Sequence, residues 1–246
     1  MIKRKNILKI AIDSPAAAGA GTLAKAISNQ YNLYYLDTGK IYRFIAYLKI
    51  RFPEKFNQNF IKKKIKTLKV KDLANKNLIS DNVSVEAATI SKIKKIRKMV
   101  HSFQLNFAYN PPKKYKGSCL DGRDITYKIV PDADFKFFIT ANLKTRAERR
   151  YKELKNLNKK ITYKEVLKSI KNRDKSDKNR KISPLRKTKD SLLINTTKLN
   201  KRSCFLKIKK IIDRKKVFNG NLQRSIQPCV PRIRKIIKQS TIKNPN

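Results

Sequence analysis

Residues 8–31 constrain the fold more than any other stretch. An apolar run, LKIAI, passes straight into a turn of small residues, DSPAAAGAG, and then into a helical run, TLAKAISNQY. A buried strand, a tight turn and a helix in that order form the setting of a phosphate-binding loop. Backbone N–H groups of such a turn cradle an anion, and the helix N-terminus adds partial positive charge. The loop comprises Ser14, Pro15, Ala16, Ala17, Ala18, Gly19, Ala20, Gly21 and Thr22, and its two glycines allow close approach of the backbone to an anion. Thr22 stands where a hydroxyl reaches the Mg²⁺ of a bound nucleotide. The loop lacks its lysine: Ala20 occupies the place of the residue that meets the β- and γ-phosphates. Close packing of small residues alone would write a similar turn, so the loop needs support from elsewhere in the chain.

That support comes from the order of elements. Apolar runs predict strands at 8–12, 33–36, 118–120, 135–140 and 192–195, and helical patterns fall at 22–30, 40–50, 143–157, 163–177 and 203–215. Strands alternating with helices predict an α/β fold with a five-stranded parallel sheet and helices on both faces. Ligands then bind at the carboxyl ends of the strands. Residues 52–116 form a lysine-rich, mostly helical insert, and from about residue 215 to 246 the pattern dissolves into a basic tail, expected to be loosely held.

The net charge of +45 points to polyanionic partners, nucleotides or nucleic acid. Abundant Lys, Asn and Ile also read as compositional bias, which leaves the grouped arginines as the informative cations. Three cysteines, Cys119, Cys204 and Cys229, and a single histidine, His101, give no zinc-ligand spacing. Free thiols fit a reducing cytoplasm. No apolar run reaches membrane-spanning length, so no membrane partner is expected, and no long apolar seam argues against a monomer.

Four further groups follow strand ends. In LDTGKIYR, Asp37 and Thr38 offer capping oxygens, and Lys40 and Arg43 share a helix face three residues apart. Two cations at a helix N-terminus oppose its dipole unless an anion sits there. In LDGRDITYKIVPDA, Arg123 can meet a phosphate or base while the flanking Asp121 and Asp124 hold it. In NRDKSDKNRKISPL, Arg173, Asp177 and Arg180 line one helix face, so the carboxylate can orient two guanidiniums. Arg146, Arg149 and Arg150 form another arginine face. Each group alone also reads as a capped helix, an internal salt bridge or an ordinary ion-pair ladder. Together with the loop they fit phosphoryl transfer, which needs positioning and dense positive charge more than covalent chemistry.

The succession SPAAAGAGT, LDTGKIYR, DGRDI with PDA, TANLKTRAERRYKEL, RDKSDKNR with SPL, and INTTKLN resembles the bacterial cytidylate kinases, over about residues 10–213. The resemblance implies a P-loop kinase domain over 1–214, with a CMP-binding insert at about 52–116, a helical lid at about 151–182, and Mg²⁺ with ATP. It implies CMP or dCMP as acceptor. Residues 14–22 would hold the ATP phosphates; Thr38, Arg43, Arg123, Asp124, Arg173 and Asp177 would meet CMP; Arg123, Arg173 and Arg180 would serve catalysis. The chain departs from the family at Ser14, Ala17 and Ala20, which replace Gly, Gly and Lys. It also departs at Leu105, where the insert carries arginine after Gln104, and near Ala88, where an insert serine helps read cytosine. Lys40, where the family has a small residue, is expected to replace the missing loop lysine. The alternative is a weakened kinase-like protein that binds nucleotide or nucleic acid through its basic surface.

Overall fold

The computed structural model describes residues 7–156 and 160–225. Five parallel strands, β1 (Leu8–Asp13), β2 (Leu33–Asp37), β3 (Gly117–Gly122), β4 (Phe135–Thr140) and β5 (Leu192–Asn195), form one sheet in the order β2-β3-β1-β4-β5, with helices on both sides. The two middle strands are the most buried: all of β3 is shielded from solvent, as are the last four residues of β1. This is why LKIAI reads as a continuous apolar run rather than an alternating one. In register, Asp13 lies beside Gly122 and Asp37 beside Asp121, so three acidic strand ends and the phosphate loop open on the same edge of the sheet.

Helix α1 (Ala20–Tyr31) follows β1, and α2 (Gly39–Arg51) follows β2. The insert resolves into α3 (Gln58–Thr67), α4 (Asp81–Ile90) and α5 (Lys94–Tyr109), joined by short 3₁₀ turns. Ile61, Ile65, Leu73, Val83, Ile90, Ile96, Val100 and Phe107 of the insert join Ile41 and Ile45 of α2 and Leu120 of β3 in one apolar cluster. The insert is thereby rooted in the core through α2. Helices α6 (Leu143–Asn156) and α7 (Tyr163–Asn179) form a second unit of packing around Ala147, Leu154, Val166 and Ile170. The start of α7 is set by a capping box in which Thr162 and Glu165 exchange hydrogen bonds.

Helix α8 (Lys201–Ser225) contains the boundary between two compact units, 1–207 and 208–246; the sheet, the insert and the candidate site belong to the first. Residues 216–225, expected to be irregular, continue this helix. Gly220 and its asparagine neighbours weaken helix propensity, but no proline interrupts the ladder before Pro228. The rest of the basic tail, with Cys229, lies outside the described residues.

Candidate active site at the carboxyl edge of the sheet

The loop after β1 is built to receive an anion. None of the backbone N–H groups of residues 16–22 meets an acceptor among the described residues, and α1 has no side-chain cap and no acid in its first turn. Ala16, Ala18 and Ala20 are buried, so these donors are exceptions to the rule that buried backbone groups find partners. The loop carbonyls are tied instead. Arg146 Nη1 donates to the Ala16 carbonyl at 3.0 Å, and Thr196 Oγ1 donates to that of Ala18 at 3.2 Å. Arg149 in turn donates to the Thr196 hydroxyl and carbonyl at 2.9 and 2.7 Å. Gly19 sits at φ 86° and Ala17 at φ 57°; the alanine carries the strain of a left-handed residue, on the order of 1–2 kcal/mol.

Buried carboxylates brace this edge from below. Asp13 accepts from the backbone N–H groups of Ile125 and Thr126 at 2.8 and 2.9 Å and from the Thr126 hydroxyl at 2.6 Å. Burial nevertheless pushes its pKa up to about 6. Asp121 accepts from the Tyr35 hydroxyl at 3.0 Å, and burial followed by the charge of Asp37 raises its pKa well above the ordinary range. The Thr38 hydroxyl, expected to cap α2, donates to the Asp121 carbonyl at 2.8 Å and makes no cap hydrogen bond. The sheet register draws Thr38 inward, because β2 and β3 end side by side. Gly122 leaves no room above it: a Cβ there would lie 2.5 Å from Thr38 Oγ1. Lys40, in the first turn of α2, is half-buried and makes no hydrogen bond or ion pair with the described residues. Arg43, one turn on, donates to the Leu78 carbonyl at 3.3 Å. Thr22 and Lys25 are exposed on α1.

Asp177 gathers three arginines. Arg123 Nε donates to it at 2.8 Å, Arg180 Nη1 at 3.5 Å, and Arg173 Nε lies at 4.0 Å. Burial opposes the charge of Asp177, but Arg123 and then Arg173 hold its pKa below the usual carboxylate range. The cluster keeps a positive surplus. Arg173, its side chain 41% exposed, has its pKa lowered to about 10 by desolvation among the cleft walls and then by the charge of Arg123. Arg123 Nη1 also donates to the Gly122 carbonyl at 3.1 Å, which Ser14 N–H shares at 3.2 Å. One carbonyl therefore joins the arginine cluster to the head of the phosphate loop.

The carboxylates flanking Arg123 do not hold it, contrary to the sequence expectation. Asp121 serves Tyr35, and Asp124 forms a short ion pair with Arg97 of α5. Arg180 Nη2 is buried without a partner, and Asp124 Oδ1 meets no donor among the described residues. Sequence reasoning missed the parts played by Arg97, Tyr35 and Thr196. Arg146, which the sequence marks only as one of an arginine face, is buried and bound to Asp174 at 2.5 and 3.0 Å, with Arg149 turned to Thr196 instead.

A parallel sheet carrying a loop of unpartnered N–H groups at its carboxyl edge, faced by clustered arginines, defines an α/β protein of the P-loop nucleotide-binding class. The family model described as cytidylate kinase matches residues 10–214. The cytidylate kinase of Mesomycoplasma hyopneumoniae (strain 7448) is 38% identical over 225 aligned residues, covering 85% of this chain and 94% of that protein. Those of Clostridium tetani and Clostridium botulinum (strain Hall) are each 38% identical, over 216 and 205 residues, covering 83% and 77% of this chain and 93% and 90% of theirs. The chain belongs to the cytidylate kinase family.

Proposed function

We propose that the protein transfers the γ-phosphoryl group of ATP to CMP, and to dCMP, giving ADP and the cytidine diphosphate. The observation that carries this reading is the shared Gly122 carbonyl, which sets an anion-binding loop against a surplus of guanidinium charge. In the transfer the bond from the γ-phosphorus to its bridging oxygen breaks, and a bond to an oxygen of the CMP phosphate forms. The total charge of the nucleotides is unchanged and no side chain need give up a proton. Catalysis is then positioning and charge stabilisation.

Residues 14–22 would hold the donor phosphates through backbone N–H groups. Mg²⁺ would shield the transferring charge. The Thr22 hydroxyl is free at the head of α1 to meet it, and no group of three His, Cys, Asp or Glu side chains among the described residues forms a metal cage. Those residues suit an ion held mainly by phosphates and water. Thr38, Arg43 and Arg123 would meet the acceptor phosphate, with Arg173, Asp177 and Arg180 at the ribose and phosphates. Lys40 would supply the cation missing at Ala20.

The base end supports cytosine. An open acceptor, Asp124 Oδ1, complements the exocyclic amine of cytosine. Uracil presents a carbonyl in that place and meets the acceptor with the wrong polarity. The test is phosphoryl transfer from MgATP with CMP, dCMP, UMP and AMP as acceptors, followed by ³¹P NMR. CDP formation with UMP and AMP slower by about tenfold or more is expected; turnover without preference for a cytosine nucleotide overturns the reading.

A further inference from the structure

The chain between α7 and β5, residues 180–191, forms neither helix nor strand, yet it fixes one of the arginines gathered by Asp177. Ser183 lies at φ 53°, a left-handed conformation that a serine keeps only where its surroundings impose it. Three hydrogen bonds impose it. The Ser183 carbonyl accepts from Arg180 Nε at 2.6 Å, the Leu185 N–H donates to the Asp177 carbonyl at 2.7 Å, and the Pro184 carbonyl accepts from the Tyr127 hydroxyl at 2.5 Å. The first two fold the segment back on the end of α7. The third reaches a distant part of the sequence. Tyr127 belongs to the π-helical turn Ile125–Ile129, which the buried Asp13 carboxylate anchors through the N–H groups of Ile125 and Thr126.

The Ser183 and Pro184 carbonyls sit on successive planar peptides, so a shift of one moves the other. Tyr127 thus fixes, through Pro184, the acceptor on which Arg180 rests. Arg180 depends on that acceptor. Its side chain is 7% exposed, its Nη1 reaches Asp177 only at a long 3.5 Å, and its Nη2 has no partner among the described residues. The Tyr127 ring is itself held, with the Arg186 guanidinium 4.2 Å from its centroid. Burial, and then the charge of Asp124, pushes the pKa of Tyr127 up to about 12, so its hydroxyl remains a donor at neutral pH. We propose that Tyr127 is a positioning residue for phosphoryl transfer: its hydroxyl, acting through residues 183 and 184, holds the Arg180 guanidinium where the nucleotide meets it. The inference rests on the kinase reading above. A tyrosine that only packed at this place would act on stability, whatever residue stood at position 180. A positioning Tyr127 acts on the reaction through Arg180.

The experiment is a double-mutant cycle on the full chain with Tyr127→Phe, Arg180→Ala and the two combined. Tyr127→Phe removes one hydroxyl and keeps the ring beneath Arg186. Steady-state turnover of MgATP with CMP and calorimetric CMP affinity are measured for all four proteins, and urea unfolding confirms that each is folded. Tyr127→Phe alone is expected to lower kcat/KM for CMP by about fivefold or more, the worth of one hydrogen bond. In the Arg180→Ala background the same change should stay within about twofold. Equal losses in both backgrounds, or no loss in either, overturn the proposal. A wild-type chain that binds CMP without turning it over would sink the kinase reading, while the same cycle read in CMP affinity still decides the role of Tyr127; a chain that binds no CMP overturns both. Should Arg180→Ala fail to fold or to turn over measurably, Arg180→Lys, which keeps the charge and loses the planar fork, supplies the second background.

Discussion

At the scale of single residues, Lys40 carries the sharpest prediction. The guanidiniums nearest the loop are spoken for: Arg146 by Asp174, Arg149 by Thr196, Arg123 by Asp177. Lys40 is half-buried without such a partner, two residues beyond Thr38, which is bonded to Asp121; Asp121 in turn lies 3.6 Å from where a Cβ on Gly21 would sit. Lys40→Ala is expected to lower kcat by about 10²–10³ with little change in CMP affinity, as for other groups that stabilise transition-state charge. Lys25→Ala on exposed α1 should stay within about twofold, and Ala20→Lys in the Lys40→Ala background should restore about tenfold or more. Equal, mild effects of the two lysine changes would remove Lys40 from the mechanism. Asp13 makes a second prediction. Its pKa rises from 3.8 to about 6 on folding, so its contribution to stability is greatest below about pH 4 and is lost as pH rises through about 6, by roughly 3 kcal/mol. The Thr126 hydroxyl favours the ionised form. Thr126→Val should therefore cost more stability in urea unfolding at pH 8 than at pH 5; equal costs at both would show that Asp13 does not titrate as described. The sequence marked the loop, Lys40, Asp124 and Asp177 because each lies in a local pattern. It hid Arg97 and the true partner of Arg123, since those ion pairs join residues 27 and 54 positions apart. Such contacts depend on sheet register and helix docking, which spacing along a chain does not encode.

At the scale of elements, all five strands and the helices next to them were legible, because a doubly covered parallel sheet writes strands as short apolar blocks between helical runs. The insert was legible only as helical. Its breaks at residues 70–74 and 76–79 are 3₁₀ turns set by packing around Leu73 and Leu78 rather than by strong breaker residues, whereas the turn at 53–55 opens on Pro53. The π-helical turn Ile125–Ile129 follows from Asp13 drawing in two consecutive N–H groups, again a long-range cause. The α6–α7 pair makes an element-level prediction. Arg146, its side chain 6% exposed, joins both helices to the phosphate loop through Asp174 and the Ala16 carbonyl. Arg146→Ala leaves a partly buried carboxylate and two backbone carbonyls without their donor, at a cost of about 3–5 kcal/mol. Asp174→Asn keeps the shape and should cost about 1–3 kcal/mol. Urea unfolding measures both. Affinity for ATP should fall in Arg146→Ala beyond what Asp174→Asn produces, because only the former frees the loop carbonyl.

At the scale of the whole molecule, the chain carries 62 basic against 17 acidic side chains, and its substrates are anions. At about 0.15 M salt an exposed charge is screened beyond roughly 8 Å. Their summed field still raises encounter rates with anions, while the chemical step depends on groups in contact with the phosphates. Rate and encounter should therefore separate under salt. Between about 50 and 500 mM KCl, kcat/KM for CMP is expected to fall by about tenfold or more, whereas kcat should change by less than about twofold. Neutral sucrose at matched osmolarity controls for general effects on folding. A kcat that fell in step with kcat/KM would place the salt-sensitive charges in the site itself, with Lys40 and Arg173 the first to suspect. If instead the surface charge serves nucleic acid, RNA binding will show a steep salt slope that saturating CMP and ATP leave unchanged, because the groups involved then lie away from the strand ends. Binding that CMP abolishes would assign the positive surplus to the nucleotide cleft, where Asp177 balances only one of the three guanidiniums around it.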